Sequence, residues 1–507
     1  MAVVDRRSKV LFLPVVRGRA YNLDLTKRAK SALRDACKDL GIDGIFPADD
    51  KYTEGLIAET GEAAQFYQVW RGDMSDIKAL IAFSGDFMRE RAIQDTMRLL
   101  PADVPAFLMV GNDDPTDMGT GKVGDALCGS LSVHHNARML GRPLVRSCRI
   151  DMSDRDLVRE FLGRYQRIID GIEVMRNMRV AMLGLNPESF ATTFSNQLKL
   201  IELGFSLHTY ELITMWGDTV LGGLVQDGET TCQGPFGEVG LWRPIGRGDE
   251  RVDQVKEKLN ELFDELPEEQ KVDRIARAYL WISDVFGQDG IDAGAIHCWS
   301  EFPRFFGFAP CTIAMLANLL QGKPVVCEGD IGHAIMARLA WEMTGEAGVI
   351  LDINNNGWDP RVFNVFHCSQ TPTNWLCGRT CVGGWGSIEG AIRPEPFTAI
   401  SAATTSDDFK ATVFQGQFLR RQPEMRGSSG WAFVPNLQDV LKAVEAAGIH
   451  HFVAMKGHYA DQVAGALEFR GLNVTQLAED LPDLDTIEAD LPDPDEGEMP
   501  GRKVFSE

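Results

Sequence analysis

Two apolar runs that each end in a carboxylate constrain this chain most strongly. The run 325–327 precedes Glu328, the run 349–351 precedes Asp352, and residues 331–344 between them repeat apolar side chains at helical spacing before Gly345. This order predicts a strand, a helix and a second strand in one parallel sheet, with both acids at its carboxyl edge, where open α/β sheets bind ligands. Two acids there repel each other unless a cation or a proton lies between them. The alternative is that Glu328 caps the helix and Asp352 opens a turn.

The same alternation of strand and helix runs through most of the chain. Apolar strand-like runs at 9–16, 77–85 and 105–112 alternate with helical patterns, and a similar series begins near residue 178. From about Gly378, Gly, Thr, Ser and aromatic residues increase, which is typical of antiparallel strands. We therefore predict an α/β fold with two Rossmann-like parallel-sheet domains (1–172 and 173–355), a β-rich, barrel-like C-terminal domain (356–480) and an acidic tail (481–507).

Composition excludes several classes of partner. The net charge of −22 argues against nucleic acid, which is bound by clustered Lys and Arg. No stretch approaches the ~20 apolar residues that span a membrane. Ten cysteines without a C-x-x-C pair indicate reduced thiols rather than a disulfide framework or a zinc cluster, so we expect a cytoplasmic protein. The loop after the strand near residue 180 lacks G-x-G-x-x-G, so no dinucleotide site is predicted.

Histidines are scarce, and three of the nine lie at strand boundaries beside the acidic pair in the predicted order. His367 ends a third apolar run, and His450 and His451 begin another. Neighbouring residues of a strand point to opposite faces, so only one of this last pair enters a shared site. Carboxylates with imidazole and no thiolate suit Mn²⁺, Mg²⁺ or a similar divalent ion.

Further candidates for the substrate pocket follow the strand-like run 293–296. Trp299 and Glu301 could line a sugar pocket, and Asn354, after Asp352, could hydrogen-bond sugar hydroxyls or form a turn. His134 and His135 could reach a neighbouring subunit's site or lie on an ordinary helix face.

An ordered series of motifs resembles the L-fucose isomerase and L-arabinose isomerase superfamily, in particular its fucose isomerase-like branch. The motifs are "DALCGSLS", "MRVAMLGLNPESF", "CEGDIGHAIMARLAWEMTG", the acid of "VILDI", "VFHCSQTP" and "GIHHFVAMKG". The resemblance spans roughly residues 9 to 477. It implies two α/β units and a β-rich domain, a homohexamer or another trimer-based homo-oligomer, and a Mn²⁺-dependent aldose–ketose isomerase that works through an enediol.

The resemblance also implies roles for single residues. The family's metal-binding Glu falls on Glu328 and its second carboxylate on Asp352. Its late histidine falls on the pair His450 and His451, where the arabinose isomerases favour His451. A further histidine of those enzymes falls on His367, which could bind substrate instead, because fucose isomerases proper use fewer protein ligands. Mg²⁺ and Co²⁺ are alternatives to Mn²⁺.

The leading hypothesis is a cytoplasmic ketol isomerase for a monosaccharide, with Glu328 and Asp352 as both metal ligands and acid–base pair. Alternatives on the same scaffold are an epimerase, or an enzyme for a sugar acid or sulfonated sugar. Gln417 stands where relatives carry an acid, which leaves the sugar open. A non-catalytic sugar sensor is a further alternative. An anionic substrate needs a cationic side chain, and the arginines available are Arg361, Arg379, Arg393, Arg420, Arg421 and Arg426.

Overall fold

A computed structural model describes residues 9–18, 23–112, 124–222, 231–234, 237–240, 242–246, 248–423 and 425–493. The chain divides into two compact units, Met1–Glu173 and Val174–Glu507. Within the ranges just given, none of the helices combines the length and the apolar character that crossing a membrane requires.

The first unit is a doubly wound α/β domain. Its described strands form a five-stranded parallel sheet in the order β2-β1-β3-β4-β5. The strands are β1 (Lys9–Pro14), β2 (Asp43–Ile45), β3 (Ile77–Ser84), β4 (Ala106–Gly111) and β5 (Arg146–Ile150). The helices are α1 (Leu23–Leu40), α2 (Thr60–Trp70), α3 (Glu90–Leu99), α4 (Ala126–Met139) and α5 (Arg155–Arg176), the last of which leads into the second unit. The central strands β3 and β4 are apolar apart from Lys78 and Ser84, because both faces of the sheet are covered.

The second unit begins with a four-stranded parallel sheet, in the order β11-β10-β6-β7 among the described residues. Its strands are β6 (Arg179–Leu183), β7 (Ser206–Tyr210), β10 (Ala293–Ile296) and β11 (Val325–Val326), and β8 (Thr231–Gly234) and β9 (Gly237–Gly240) form a separate pair. The helices are α6 (Gln197–Glu202), α7 (Leu212–Trp216), α8 (Glu250–Leu262), α9 (Glu269–Gln288), α10 (Glu301–Phe306), α11 (Cys311–Gln321) and α12 (Ile331–Thr344). Single turns occur at Arg71–Asp73, Ala191–Thr193, Gly217–Leu221 and Thr373–Trp375.

The rest of the second unit is a mostly antiparallel sheet of nine described strands. They are β12 (Val349–Asn356), β13 (Val362–His367), β14 (Leu376–Val382), β15 (Ile388–Ile392), β16 (Pro396–Thr404), β17 (Phe409–Phe418), β18 (Ser428–Phe433), β19 (His451–Lys456) and β20 (Asn473–Leu477). The pairing of β17 with β18 closes β18-β13-β12-β19-β16-β17 into an antiparallel barrel. Around it lie α13 (Leu437–Ala447), α14 (Ala460–Phe469) and α15 (Leu484–Asp490). The predicted fold class, two parallel-sheet α/β parts and a barrel-like β part, is confirmed.

The predicted arrangement around α12 is wrong in one respect. The helix begins and ends where the sequence predicts, with the left-handed Gly345 as its C-cap. However, β11 belongs to the parallel sheet, whereas β12 pairs antiparallel with β13 and β19 in the barrel. Helix α12 therefore connects two sheets instead of two strands of one sheet, and Asp352 lies within its strand rather than at the end.

The domain limits at 172/173, 355/356 and 480/481 stay predictions. Part of the segment predicted as an acidic tail forms α15, whose Ile487 is buried against Trp358, Leu419 and Phe433. Residues 494–507 lie outside the described part of the chain.

Candidate metal centre

Glu328 sits in a tight loop between β11 and α12. Its backbone is left-handed, with φ of 60°, and its side chain is buried. The backbone N–H of Glu328 donates to Cys298 Sγ at 3.3 Å, and its carbonyl accepts a hydrogen bond from Thr193 Oγ1 at 2.9 Å. A left-handed non-glycine residue costs roughly 1–3 kcal/mol and persists only where its surroundings fix it. The two hydrogen bonds hold the carboxylate of Glu328 toward the end of the barrel.

Asp352 and His451 face each other across two barrel strands. They are direct partners in the register of β12 and β19, so their side chains project to the same face. His451 Nε2 lies 3.3 Å from Asp352 Oδ1 and 3.6 Å from Glu328 Oε2. Three side chains from two sheets thus converge on one point, although the single-sheet route that the sequence suggested is wrong.

Two of the converging atoms lack a hydrogen-bond partner in the part of the chain that the structure describes. Within the described residues, Glu328 Oε2 and His451 Nε2 are buried without a hydrogen bond. An unsatisfied buried polar atom is costly, and a cation bound between these atoms would remove that cost. Ligand atoms about 2.1 Å from one ion, at angles of 90–110°, lie about 3.0–3.5 Å apart, close to the separations found here. The donor set of two carboxylates and one imidazole nitrogen therefore fits a divalent cation.

The electrostatics of the two acids differ. Burial raises the pKa of Glu328 to about 7; the charge of His451 opposes this shift, and those of Asp352 and Asp330 add to it. For Asp352, burial acts upward, but the contact with His451 at 3.3 Å and the charges of the neighbouring histidines lower its pKa overall. Without a cation, one acid readily holds a proton near neutral pH and the other is ionised.

His367 lies beside this cluster with its two ring nitrogens differently engaged. One ligand atom of His367 lies within 4.8 Å of ligand atoms of Glu328 and His451. Its Nδ1 accepts the backbone N–H of Cys368 at 3.1 Å, and its Nε2 is 3.5 Å from Cys327 Sγ. Because Nδ1 is an acceptor, the neutral ring carries its proton on Nε2. This geometry favours a hydrogen-bond donor over a metal ligand.

His450 occupies the rim of the cluster. Its side chain is 37% exposed, its Nε2 is 3.7 Å from Asp352 Oδ1, and its Nδ1 is 3.1 Å from Thr192 Oγ1. Burial, followed by the charge of His451, lowers the pKa of His450 to about 4. Of the two adjacent histidines, the structure directs His451 inward between the acids and leaves His450 where a substrate can touch it.

The other residues predicted to line the substrate pocket differ in their contacts. Half-exposed Trp299 acts to lower the pKa of Glu328, against the larger effect of burial, and its ring lies 5.7 Å from that of Phe190. Glu301 is exposed at the first residue of α10. Asn354, at a bulge of β12, donates to Asn364 Oδ1 at 2.7 Å. Within the described ranges, Glu301 and Asn354 form no hydrogen bond to the converging acids, so their proposed contact with substrate stays a prediction.

The last candidates from the sequence are two histidines, Gln417 and the arginines, and they differ in their hydrogen-bond and ion-pair partners. In the first unit, His134 Nε2 lies 3.0 Å from Ser147 Oγ, and a role in a neighbouring subunit's site stays a prediction for His134 and His135. Buried Gln417 donates to the Phe418 carbonyl at 2.9 Å. Most of the arginines are occupied: Arg361 binds Asp359 and Asp490, Arg379 binds Glu265, Arg420 binds Asp485 and Glu488, and Arg421 lies over Trp358. Arg393 and Arg426 are exposed and make no ion pair with any residue that the structure describes.

Two buried residues of the site were not predicted from the sequence. Asp330 Oδ2 is 2.8 Å from His451 Nδ1 and 2.7 Å from His333 Nδ1. Asp330 also caps α12 by accepting the backbone N–H of His333 at 3.0 Å, so the alternative that Glu328 is this cap is wrong. The available signal was Asp330 at the position before the helix in "CEGDIGHAIM", with a donor three residues later.

Comparisons with known proteins point to sugar isomerases. A family model described as the fucose/sulfoquinovose isomerase N-terminal domain matches residues 14–177. Two curated relatives, the sulfoquinovose isomerases of Priestia aryabhattai and Priestia megaterium (strain ATCC 12872 / QMB1551), are each 21% identical over 325 residues, which is 61% of this chain and 67% of each relative. With the fold and the ordered motifs, these matches support the resemblance of this chain to the fucose isomerase-like branch of the L-fucose and L-arabinose isomerase superfamily.

Proposed function

We propose that this protein is a divalent-metal-dependent aldose–ketose isomerase for a monosaccharide, with Glu328, Asp352 and His451 as metal ligands. The observation that carries the proposal is the convergence of two carboxylates and one imidazole nitrogen, with Glu328 Oε2 and His451 Nε2 buried and unpartnered in the described structure. A sensor protein gains nothing from two clustered acids, whereas a ketol isomerase uses both.

The metal would be Mn²⁺, with Mg²⁺ or Co²⁺ as alternatives, because carboxylate and imidazole ligands suit these ions. When bound, it polarises the sugar carbonyl and stabilises the negative charge that develops on the neighbouring oxygens. The role of the protein is to hold the sugar with C1 and C2 facing the two acids.

Isomerisation moves one proton between neighbouring carbons. One residue of the pair Glu328 and Asp352, as an ionised carboxylate, removes the proton from C2 of the aldose while a proton moves from O2 to O1, which gives the enediolate. The other residue, protonated as a carboxylic acid, delivers its proton to C1 as the C2 carbonyl forms, and the product is the ketose. A proton then passes back between the two residues, which restores their starting states. His367 Nε2–H donates to a sugar hydroxyl, and Trp299 covers a face of the ring and limits access of water.

A sulfonated or otherwise anionic sugar is the second candidate substrate. Two observations favour it: the relatives named above act, by their names, on sulfoquinovose, and Arg426 is exposed without an ion pair in the described part of the chain. Arg426 directly precedes Gly427, where an added Cβ would lie 2.5 Å from the carbonyl oxygen of His367. The positively charged side chain of Arg426 therefore belongs to the residue next to Gly427, which packs closely against the end of β13 at His367. The homo-oligomer implied by the resemblance and the cytoplasmic location inferred from the cysteines also stay predictions.

The test is conversion of aldoses to ketoses with Mn²⁺ across neutral and anionic sugars. We expect turnover of one class by the wild-type protein, loss of turnover after treatment with EDTA, and a decrease of about 10²–10⁴-fold in Glu328→Gln, which removes a ligand and a proton carrier. Glu342→Gln is the matched control, since Glu342 lies on α12 and pairs with Arg338 on the surface. Metal and sugar binding without turnover by the wild type would favour the sensor, and turnover retained by Glu328→Gln would refute the mechanism.

A further inference from the structure

A buried chain of hydrogen bonds lies behind His451 and has no direct part in the proposed proton transfer. It consists of Asp330, His333 and His451 together with the backbone N–H of Ala402. Each of the first three residues is at most 2% exposed. Burying three ionisable side chains together is expensive unless every donor meets an acceptor. The hydrogen bonds within this group therefore fix where its protons lie.

The proton positions follow from the partners, beginning at Ala402. Its backbone N–H donates to His333 Nε2 at 3.2 Å, so the neutral ring of His333 carries its proton on Nδ1. That Nδ1–H donates to Asp330 Oδ2 at 2.7 Å, while Asp330 Oδ1 accepts the backbone N–H of His333 at 3.0 Å. Both oxygens of Asp330 are thus acceptors, as in an ionised carboxylate.

His451 completes the chain. Its Nδ1 lies 2.8 Å from Asp330 Oδ2, which accepts hydrogen bonds, so Nδ1 carries a proton. The opposite nitrogen, Nε2, lies between Glu328 Oε2 and Asp352 Oδ1. A histidine that donates one ring N–H to a carboxylate presents the other nitrogen as a stronger metal ligand in a fixed orientation.

We propose that Asp330 is a positioning residue, which keeps the proton of His451 on Nδ1 and directs the Nε2 lone pair at the cation, and that His333 orients Asp330 for this task. The inference rests on the proposed function, because it assumes that the cation binds between Glu328, Asp352 and His451. The cap of α12 needs only Asp330 Oδ1, so the contacts at Oδ2 have a separate role.

Asp330→Asn separates the two roles of Asp330. Asn caps helices about as well as Asp, so its side-chain oxygen can replace the cap. The amide nitrogen that replaces Oδ2 is a donor facing two N–H groups, and His451 can then keep a hydrogen bond here only with its proton on Nε2. The matched control is Asp483→Asn, because Asp483 caps α15 by accepting the backbone N–H of Thr486 at 2.9 Å.

The measurement is Mn²⁺ affinity by isothermal titration calorimetry on the metal-free full chain, with thermal unfolding of the same samples. We expect Asp330→Asn to weaken Mn²⁺ binding by about 10–100-fold and Asp483→Asn to leave it unchanged. We expect the metal-free unfolding temperature to fall in Asp330→Asn, because its amide N–H groups face two imidazole N–H groups, and to stay close to wild type in Asp483→Asn, so Mn²⁺ affinity is compared on samples shown to be folded. Mn²⁺ affinity of Asp330→Asn within twofold of wild type would overturn the inference while leaving the metal site intact. Absence of Mn²⁺ binding by the wild type would overturn the metal site and the inference with it.

A second measurement uses the wild type alone, in case Asp330→Asn does not fold. In Mg²⁺-loaded protein labelled with ¹⁵N at its nine histidines, the His451 signal, assigned by its loss in His451→Asn, should show a protonated Nδ1 and an unprotonated Nε2. A proton on Nε2 of His451 in that sample would overturn the inference. If Asp330 served only as the cap of α12, it would not determine which nitrogen of His451 carries the proton, and Asp330→Asn would keep the Mn²⁺ affinity of the wild type. The two measurements therefore distinguish a positioning role of Asp330 from a purely structural one.

Discussion

At the scale of single residues, His367 and His451 are neighbours with opposite proton positions. His367 accepts the N–H of Cys368 at Nδ1, whereas His451 lies against the carboxylate of Asp330 at Nδ1. Substituting Asn removes Nε2 from either residue and keeps a polar group near the former Nδ1. We expect His451→Asn to weaken Mn²⁺ binding by at least about 10–100-fold and His367→Asn to change it less than threefold, as measured by calorimetry.

The same pair of variants separates metal binding from substrate binding. With saturating Mn²⁺, we expect His367→Asn to lower kcat/KM by about 10–100-fold, because one hydrogen bond to the sugar is worth about 1.5–3 kcal/mol where a buried polar partner is lost. Equal losses of Mn²⁺ affinity in His367→Asn and His451→Asn would instead make His367 a fourth ligand.

At the scale of elements, the sequence could identify the three converging residues but not how the fold brings them together. Glu328, Asp352 and His451 each adjoin an apolar run, and this local pattern is visible without a structure. However, β11 has only two residues, and the partner of β12 in the barrel, β19, lies about a hundred residues later. An apolar run does not reveal which sheet a strand joins, because pairing depends on contacts distant in sequence. For the same reason, the sequence at Asp330 and His333 shows only an ordinary helix start, because their link to the distant His451 is not visible in it.

The turn that enters α12 offers a test of how strongly this element fixes the site. Gly329 has φ of 66°, and an added Cβ would lie 2.8 Å from Asn186 Nδ2. Gly345, at the other end of α12, has φ of 71° with open space around it. We expect Gly345→Ala to lower the free energy of unfolding by about 1–2 kcal/mol, the cost of the left-handed backbone.

For Gly329→Ala, the steric conflict adds to the same backbone cost. We expect a larger loss of unfolding free energy than in Gly345→Ala, together with weaker Mn²⁺ binding, since the turn carries Glu328. Urea unfolding and calorimetry check the two expectations separately. Unchanged Mn²⁺ affinity in Gly329→Ala would show that binding of the cation does not depend on the conformation of this turn.

At the scale of the whole molecule, the proposed cation would link two sheets of the same compact unit. Glu328 follows a strand of the parallel sheet, whereas Asp352 and His451 belong to the barrel. All three residues lie within Val174–Glu507. A ligand that binds only when both sheets are folded and adjacent stabilises the folded state by an amount that grows with the logarithm of its concentration relative to the dissociation constant.

Metal addition should therefore raise the unfolding temperature of this unit selectively. At Mn²⁺ concentrations about 100-fold above the dissociation constant, the expected stabilisation is about 2.7 kcal/mol, which corresponds to an increase of several degrees in a domain of this size. Differential scanning calorimetry measures it, and EDTA should reverse it. The net charge of −22 attracts cations to the surface without any specific site, so Glu328→Gln and His451→Asn are the decisive controls. If both variants kept the increase, surface binding would explain it; if both lost it, the increase would come from the ligands that join the two sheets.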